Sequence, residues 1–207
     1  MNAQRDEDFE TIRRVLGGDY NGFEILVEKY QGRIYRHLRK MVKDDVQAED
    51  LLQETFLNAF KGLGGFTGDS AFSTWLFRIA TNNALMFLRK TKADSVEYDD
   101  EIKMPDSHDM PVVSPVFVST PLEVLLSHEG QRKIEQAIDG LPVIYRSVVM
   151  LRDVEGFSLQ EVAGIMDTTV AAVKSRLHRG RNWVRQQLSE YYGDSDAARP
   201  RRTVTAK

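Results

Sequence analysis

The chain has 207 residues, 42% of them hydrophobic and 29% charged, with a formal net charge of −3, which suits one or two compact domains. It has no cysteine, which excludes disulfides and thiolate zinc sites. No apolar run reaches membrane-spanning length, and the acidic, polar first ten residues do not read as a signal peptide, so a soluble, cytoplasmic protein without direct membrane insertion is expected. The small net charge hides an uneven distribution. Acid concentrates at 44–54 and 94–109, whereas base concentrates near the C-terminus, a pattern that implies different partners at different patches.

Residues 6–92 read as a run of helices. Glu24, Ile25, Leu26, Val27 and Tyr30 open an amphipathic segment that continues through Ile34, Tyr35, Leu38, Met41 and Val42. A second covers 48–60, with Leu51, Leu52, Phe56 and Phe60 near one face. After the glycine-rich stretch 62–68, a third runs over 74–88 through Leu76, Ile79, Ala80 and Leu88. No segment alternates at period two, so the expected fold class is all-α.

Residues 93–121 break the helical pattern with repeated acids and Pro105, Pro111, Pro115 and Pro121. A stretch of this length without periodicity reads as an irregular, flexible acidic linker between two small helical domains. Its apolar residues Val112, Val113, Val116, Phe117 and Val118 could dock on a neighbour. A second helical domain is expected at 122–192, with Pro142 as a helix start, followed by a disordered basic tail at 193–207.

Within that second domain, Ser158 and Glu161 have capping-box spacing, predicting a helix just after Ser158. Val162, Ile165 and Met166 share a face, and Ala163 is small enough for a second helix to cross closely. Asp167, Thr168 and Thr169 supply turn and N-cap chemistry, and Val170, Val173 and Leu177 form the next apolar stripe. The outward positions Lys174, Ser175, Arg176, His178, Arg179, Arg181 and Arg185 include no acid. This order describes a helix-turn-helix at about 158–181 whose second helix reads the DNA major groove. The plainer alternative is a helical hairpin with a solvated basic face.

Two features of the first domain exceed what a helical core needs. Asp50 and Glu54, beside Glu49 and Gln53, are like charges one helical turn apart, mildly destabilising in an isolated helix. A face for a basic protein partner explains them; a solvated acidic face is the alternative. Metal binding is disfavoured, because no histidine lies nearby in sequence and carboxylates of one helix rarely close a shell. The other feature, residues 65–83, is dense in aromatic and small hydrogen-bonding residues. It suits stacking on single-stranded DNA and gripping an extruded base. Trp75, Leu76 and Ile79 are expected to serve the core instead.

The strings Asp50-Leu51-Leu52-Gln53-Glu54-Thr55-Phe56, Phe66-Thr67-Gly68-Asp69-Ser70-Ala71-Phe72-Ser73-Thr74-Trp75-Leu76, Leu141-Pro142 and Val173-Lys174-Ser175-Arg176-Leu177-His178-Arg179-Gly180-Arg181 occur in that order. With this order and spacing the chain resembles the extracytoplasmic-function sigma factors of bacterial RNA polymerase, within the sigma-70 family. The resemblance implies two helical domains, regions two and four. It places Asp50, Leu52, Gln53, Glu54 and Phe56 at the coiled coil of the polymerase β′ subunit, with the β flap as the second contact on core RNA polymerase. It assigns Phe66, Asp69, Ser70, Phe72, Thr74, Arg78, Asn82 and Asn83 to the promoter minus-ten element, where a flipped base is captured. It assigns Thr169, Lys174, Ser175, Arg176, His178 and Arg179 to the minus-thirty-five element. It also implies an anti-sigma factor, often membrane-bound, which would hold an otherwise cytoplasmic protein at the inner membrane. The free chain is expected to be a monomer without catalytic residues, metal or cofactor. Ala171 and Ala172 stand where many relatives have Gly-Thr, His178 occupies an often aromatic or basic position, and the linker is long for the family.

Three rivals stand beside this reading. A stand-alone helix-turn-helix regulator leaves residues 66–83 unexplained. A metal-dependent nuclease using Glu49, Asp50 and Glu54 lacks nucleophile or ligand spacing, since His37, His108, His128 and His178 are scattered. A protein adaptor needs no basic recognition helix.

Overall fold

The computed structural model describes residues 3–94 and 128–197. Most of the expected linker, with Val112, Val113, Val116, Phe117 and Val118, and the tail beyond 197 lie outside the described residues. The helices in chain order are α1 (Ala3–Leu16), α2 (Asn21–Val42), α3 (Asp45–Gly62), α4 (Phe72–Asp94), α5 (His128–Asp139), α6 (Val143–Val149), α7 (Leu159–Ile165) and α8 (Val170–Ala197). A 3-10 turn at Leu63–Gly65 follows α3, and one turn of π-helix at Met150–Val154 follows α6. No strand occurs among the described residues, in agreement with the all-α expectation. The third expected helix is longer than its apolar stripe, running to Asp94.

The chain divides into two compact units, Met1–Asp100 with Met150–Lys174, and Glu101–Val149 with Ser175–Lys207. In the first unit, α2 ends at Lys43, whose left-handed backbone (φ 60°) lets its N–H close onto the Arg39 carbonyl. Asp44 then caps α3, accepting the Gln47 N–H at 2.8 Å. The α2 stripe Leu26, Tyr30, Ile34, Leu38 and Met41 packs against Ala48, Leu51 and Ala59 of α3 and Leu76, Phe77, Ala80 and Ala84 of α4, all buried. Alanines at Ala48, Ala59, Ala80 and Ala84 let the helix axes approach closely. α1 is fastened to α2 through buried Asp8, which accepts from Lys29 Nζ at 2.7 Å and from the Tyr30 hydroxyl.

In the second unit, the turn between α5 and α6 contains Gly140 and Pro142, as the sequence predicted for a helix start. Buried Arg146 donates to the Asp139 and Leu141 carbonyls, satisfying acceptors that the end of α5 leaves open. Gly180 of α8 lies so close to α6 that an added Cβ would sit 2.7 Å from Val149 Cγ2.

Candidate functional site

The acidic helix face forms as the i, i+4 spacing requires. Asp50, Gln53 and Glu54 are exposed on α3, while Phe56 is buried and Leu52 is half-buried. Asp50 and Glu54 make no ion pair among the described residues, so no described cation offsets their repulsion. Further along α3 the structure adds an apolar patch. Leu57 is 58% exposed, Phe60 42% and Tyr20 67%, and Phe60 contacts the Tyr20 and Phe23 rings. The sequence placed Phe60 near the apolar stripe; the clustering of exposed Leu57, Phe60 and Tyr20 depends on a different helix and had no local signal.

The aromatic loop is built on the start of α4. Phe72, buried, packs edge-on against Tyr30, and Phe66 lies 5.9 Å from Phe72 and 5.3 Å from Trp75 between ring centroids. Trp75 also closes over Gly62, serving the packing role expected of it. Above this base, Thr67 donates to Asp69 Oδ2 at 2.7 Å, and Gly68 turns the chain with φ +79°. Thr67 and Asp69 are exposed, as is Arg78; Phe66, Ser70, Asn82 and Asn83 are half-buried. Asn83 donates to Thr55 Oγ1 at 3.3 Å. The eight residues expected at the minus-ten element therefore split into two layers. Phe66, Asp69, Ser70, Arg78, Asn82 and Asn83 are exposed or half-buried, whereas Phe72 and Thr74 are buried.

The capping box is present: Ser158 N–H donates to Glu161 Oε2 at 2.8 Å, and Glu161 N–H to Ser158 Oγ at 3.2 Å. Glu161 also accepts from the Thr74 hydroxyl at 3.1 Å. Burial opposes the Glu161 carboxylate, but the hydrogen bonds from Ser158 and Thr74 outweigh it and hold its pKa below the ordinary value. Asp167 takes a left-handed turn conformation (φ 47°), and Thr169 Oγ1 caps α8 by accepting the Ala172 N–H at 3.1 Å. Val173 and Leu177 are buried, while Lys174, Ser175 and His178 are exposed and Arg176 and Arg179 are half-buried. His178 Nε2 lies 3.0 Å from Asn182 Nδ2, and Asn182 Oδ1 accepts from Arg185 at 2.8 Å. A neighbour one turn along thus orients the imidazole, a contact readable from i, i+4 spacing but not anticipated.

A tight turn, a capped first helix and a second helix that is basic outside and apolar inside define a helix-turn-helix DNA-binding protein. Comparison with known proteins narrows this class. Residues 26–93 match Sigma-70 region 2, and residues 131–184 match Sigma-70, region 4. The chain is 34% identical over 188 residues to the RNA polymerase sigma-H factor of Pseudomonas aeruginosa, covering 89% of this chain and 95% of that protein. It is 34% identical over 181 residues to the ECF RNA polymerase sigma factor SigW of Bacillus subtilis, covering 86% and 95%. Among solved structures, CnrH in complex with the cytosolic domain of CnrY matches with a TM-score of 0.60 at 22% identity, covering 91% of this chain and 99% of that one. The sigma factor RpoE of Bartonella quintana, solved with the anti-sigma factor NepR, matches with a TM-score of 0.58 at 22% identity, covering 81% and 96%.

The chain belongs to the sigma-70 family, as an extracytoplasmic-function (ECF) sigma factor. Sigma factors are transcription initiation factors that bind core RNA polymerase and promoter DNA.

Proposed function

We propose that three surfaces of this sigma factor divide its work. The face of Asp50, Gln53 and Glu54, with Leu52 and Phe56 beneath it, docks on the β′ coiled coil of core polymerase, and the β flap takes the helical domain at 122–192. The loop at 66–70 with Arg78, Asn82 and Asn83 holds the extruded minus-ten strand, supported from below by Phe72 and Thr74. Thr169, Lys174, Ser175, Arg176, His178 and Arg179 read the minus-thirty-five element. Domains at 6–92 and 122–192, joined by the acidic segment 93–121, fit the spans matched by regions two and four. The observation that carries this reading is the exposed carboxylate face, which the fold itself does not use.

The protein has no chemistry of its own in this scheme. Polymerase fixes the two DNA-reading domains at one separation, so two weak contacts act together through effective concentration. Capture of unstacked bases, each worth about 1–3 kcal/mol, helps drive local melting. The described residues contain no helix long and apolar enough to cross a membrane, which fits a cytoplasmic factor. Control by an anti-sigma protein that sequesters the chain is part of this reading; the RpoE neighbour was solved with the anti-sigma factor NepR.

Asp50→Ala and Glu54→Ala should weaken core-polymerase binding and spare DNA contact by the free protein, whereas Arg179→Ala should do the reverse. Equal loss of both activities from a folded Glu54 variant would contradict this division.

A further inference from the structure

We propose that Phe9, in α1 and outside the span matched by region 2, is a positioning residue for the loop at 66–70. The proposal rests on the reading of that loop as the minus-ten strand's binding site. Asp8 sets the rotation of α1: its buried carboxylate is held by Lys29 and Tyr30, while Ile12 and Val15 face the core. The next side chain, Phe9, is thereby carried onto the loop. Its ring fills the space beside Gly68, where an added Cβ would lie 2.0 Å from Phe9 Cζ and 2.3 Å from Cε2. It also lies 5.8 Å from the Phe66 ring, extending the cluster of tilted and edge-on rings formed by Phe66, Phe72 and Trp75. One turn further along α1, the Arg13 guanidinium lies 5.9 Å from the Phe9 ring centroid.

Phe9 gives the loop a contact from outside its own stretch of sequence. Gly68 sits in a backbone conformation that L side chains rarely adopt, and the exposed Thr67–Asp69 hydrogen bond spans only two residues. A loop ordered before DNA arrives loses less conformational freedom on binding. Phe9 therefore acts through loop shape rather than by touching DNA.

The test uses holoenzyme on a promoter fragment mapped by this factor's own run-off transcripts, with permanganate reactivity of unpaired thymines reporting the open complex. Phe9→Ala should lower open-complex formation roughly fivefold, the scale of ordering costs at an interface. Core-polymerase affinity should not change, and Phe9→Tyr should restore the level. Gly68→Ala should also lower it, and by less in the Phe9→Ala background, where the ring that meets the new Cβ is gone. Wild-type opening by Phe9→Ala, with Asp69→Ala and Asn82→Ala impaired, would overturn the role of Phe9 alone. Unchanged opening in all three would overturn the reading of the loop, and the proposal with it. Loss of core binding together with opening in Phe9→Ala would mark a structural residue only, and would also overturn it.

Discussion

Arg33 donates from both Nε and Nη2 to a single oxygen of Glu155, at 3.0 and 2.8 Å, across 122 positions of sequence. The carboxylate is nearly buried, at 7% exposure against 33% for the Arg33 side chain, and the guanidinium also lies 5.4 Å from the Phe77 ring centroid. Phe77 in turn packs edge-on against Phe157 at 5.0 Å. Charge and aromatic packing thus fasten the segment leading into α7 to α2 and α4 within the first unit.

Removing one partner of such a pair strands the other charge, which costs more than the pair contributes. Arg33→Ala should lower the stability of the free chain by about 1–3 kcal/mol, and adding Glu155→Gln should recover part of the loss. Urea unfolding of the four proteins of the cycle measures this. Strictly additive effects would show that the two groups are not coupled.

Gly180→Ala tests the packing of α8 on α6. The new Cβ meets a γ-methyl of Val149, a buried β-branched residue with little freedom to turn away. Overpacking of this kind costs about 1–3 kcal/mol, so a lower melting temperature is expected, with weaker binding to duplex minus-thirty-five DNA. An unchanged melting temperature would mean that the helices separate freely.

His37 makes stability depend on pH. The ring is fully buried, its Nε2 lies 2.9 Å from Thr81 Oγ1 and its Nδ1 has no hydrogen-bond partner among the described residues, and burial lowers its pKa to about 4. The unfolded chain binds this proton below its ordinary pKa of about 6.5, whereas the folded chain resists it until far lower pH. The stabilising difference is therefore intact above about pH 6.5 and is lost as pH falls toward 4, by an amount on the order of 3 kcal/mol. Chemical denaturation at pH 7.5, 6 and 5 should show a steeper decline for wild type than for His37→Gln. Parallel declines would place the acid sensitivity elsewhere.

The basic face of α8 should reveal itself in salt. Neutralising one phosphate contact reduces the slope of log affinity against log salt by about 1. Arg179→Ala and Lys174→Ala should each show that reduction, or an altered base preference without it if the side chain reads a base edge. Neither effect, in either variant, would remove these residues from the DNA interface.

Much of the fold was legible because it is local. The Ser158–Glu161 box, the Thr169 cap and the α2 stripe of Leu26, Tyr30, Ile34 and Leu38 are one-turn relationships that sequence displays directly. The candidate site was less so. Phe66 and Phe72 look alike in a loop rich in aromatics, yet Phe72 enters the core beneath Tyr30 while Phe66 remains half-buried at the surface. Phe9 and Arg33 act on residues far along the chain, Gly68 and Glu155, and no local pattern marks either partner. The π-helical turn at Met150–Val154 likewise contains no glycine or proline that would mark it in the sequence.

The central claim is promoter specificity conferred on polymerase, and run-off transcription tests it most directly. Purified core RNA polymerase would be given genomic fragments from the same bacterium, with and without this chain, and new RNA 5′ ends mapped. We expect discrete, chain-dependent starts that share two upstream motifs at constant separation, abolished by Glu54→Ala combined with Asp50→Ala. No new starts, together with tight duplex binding by the protein alone, would contradict the account and favour a stand-alone regulator.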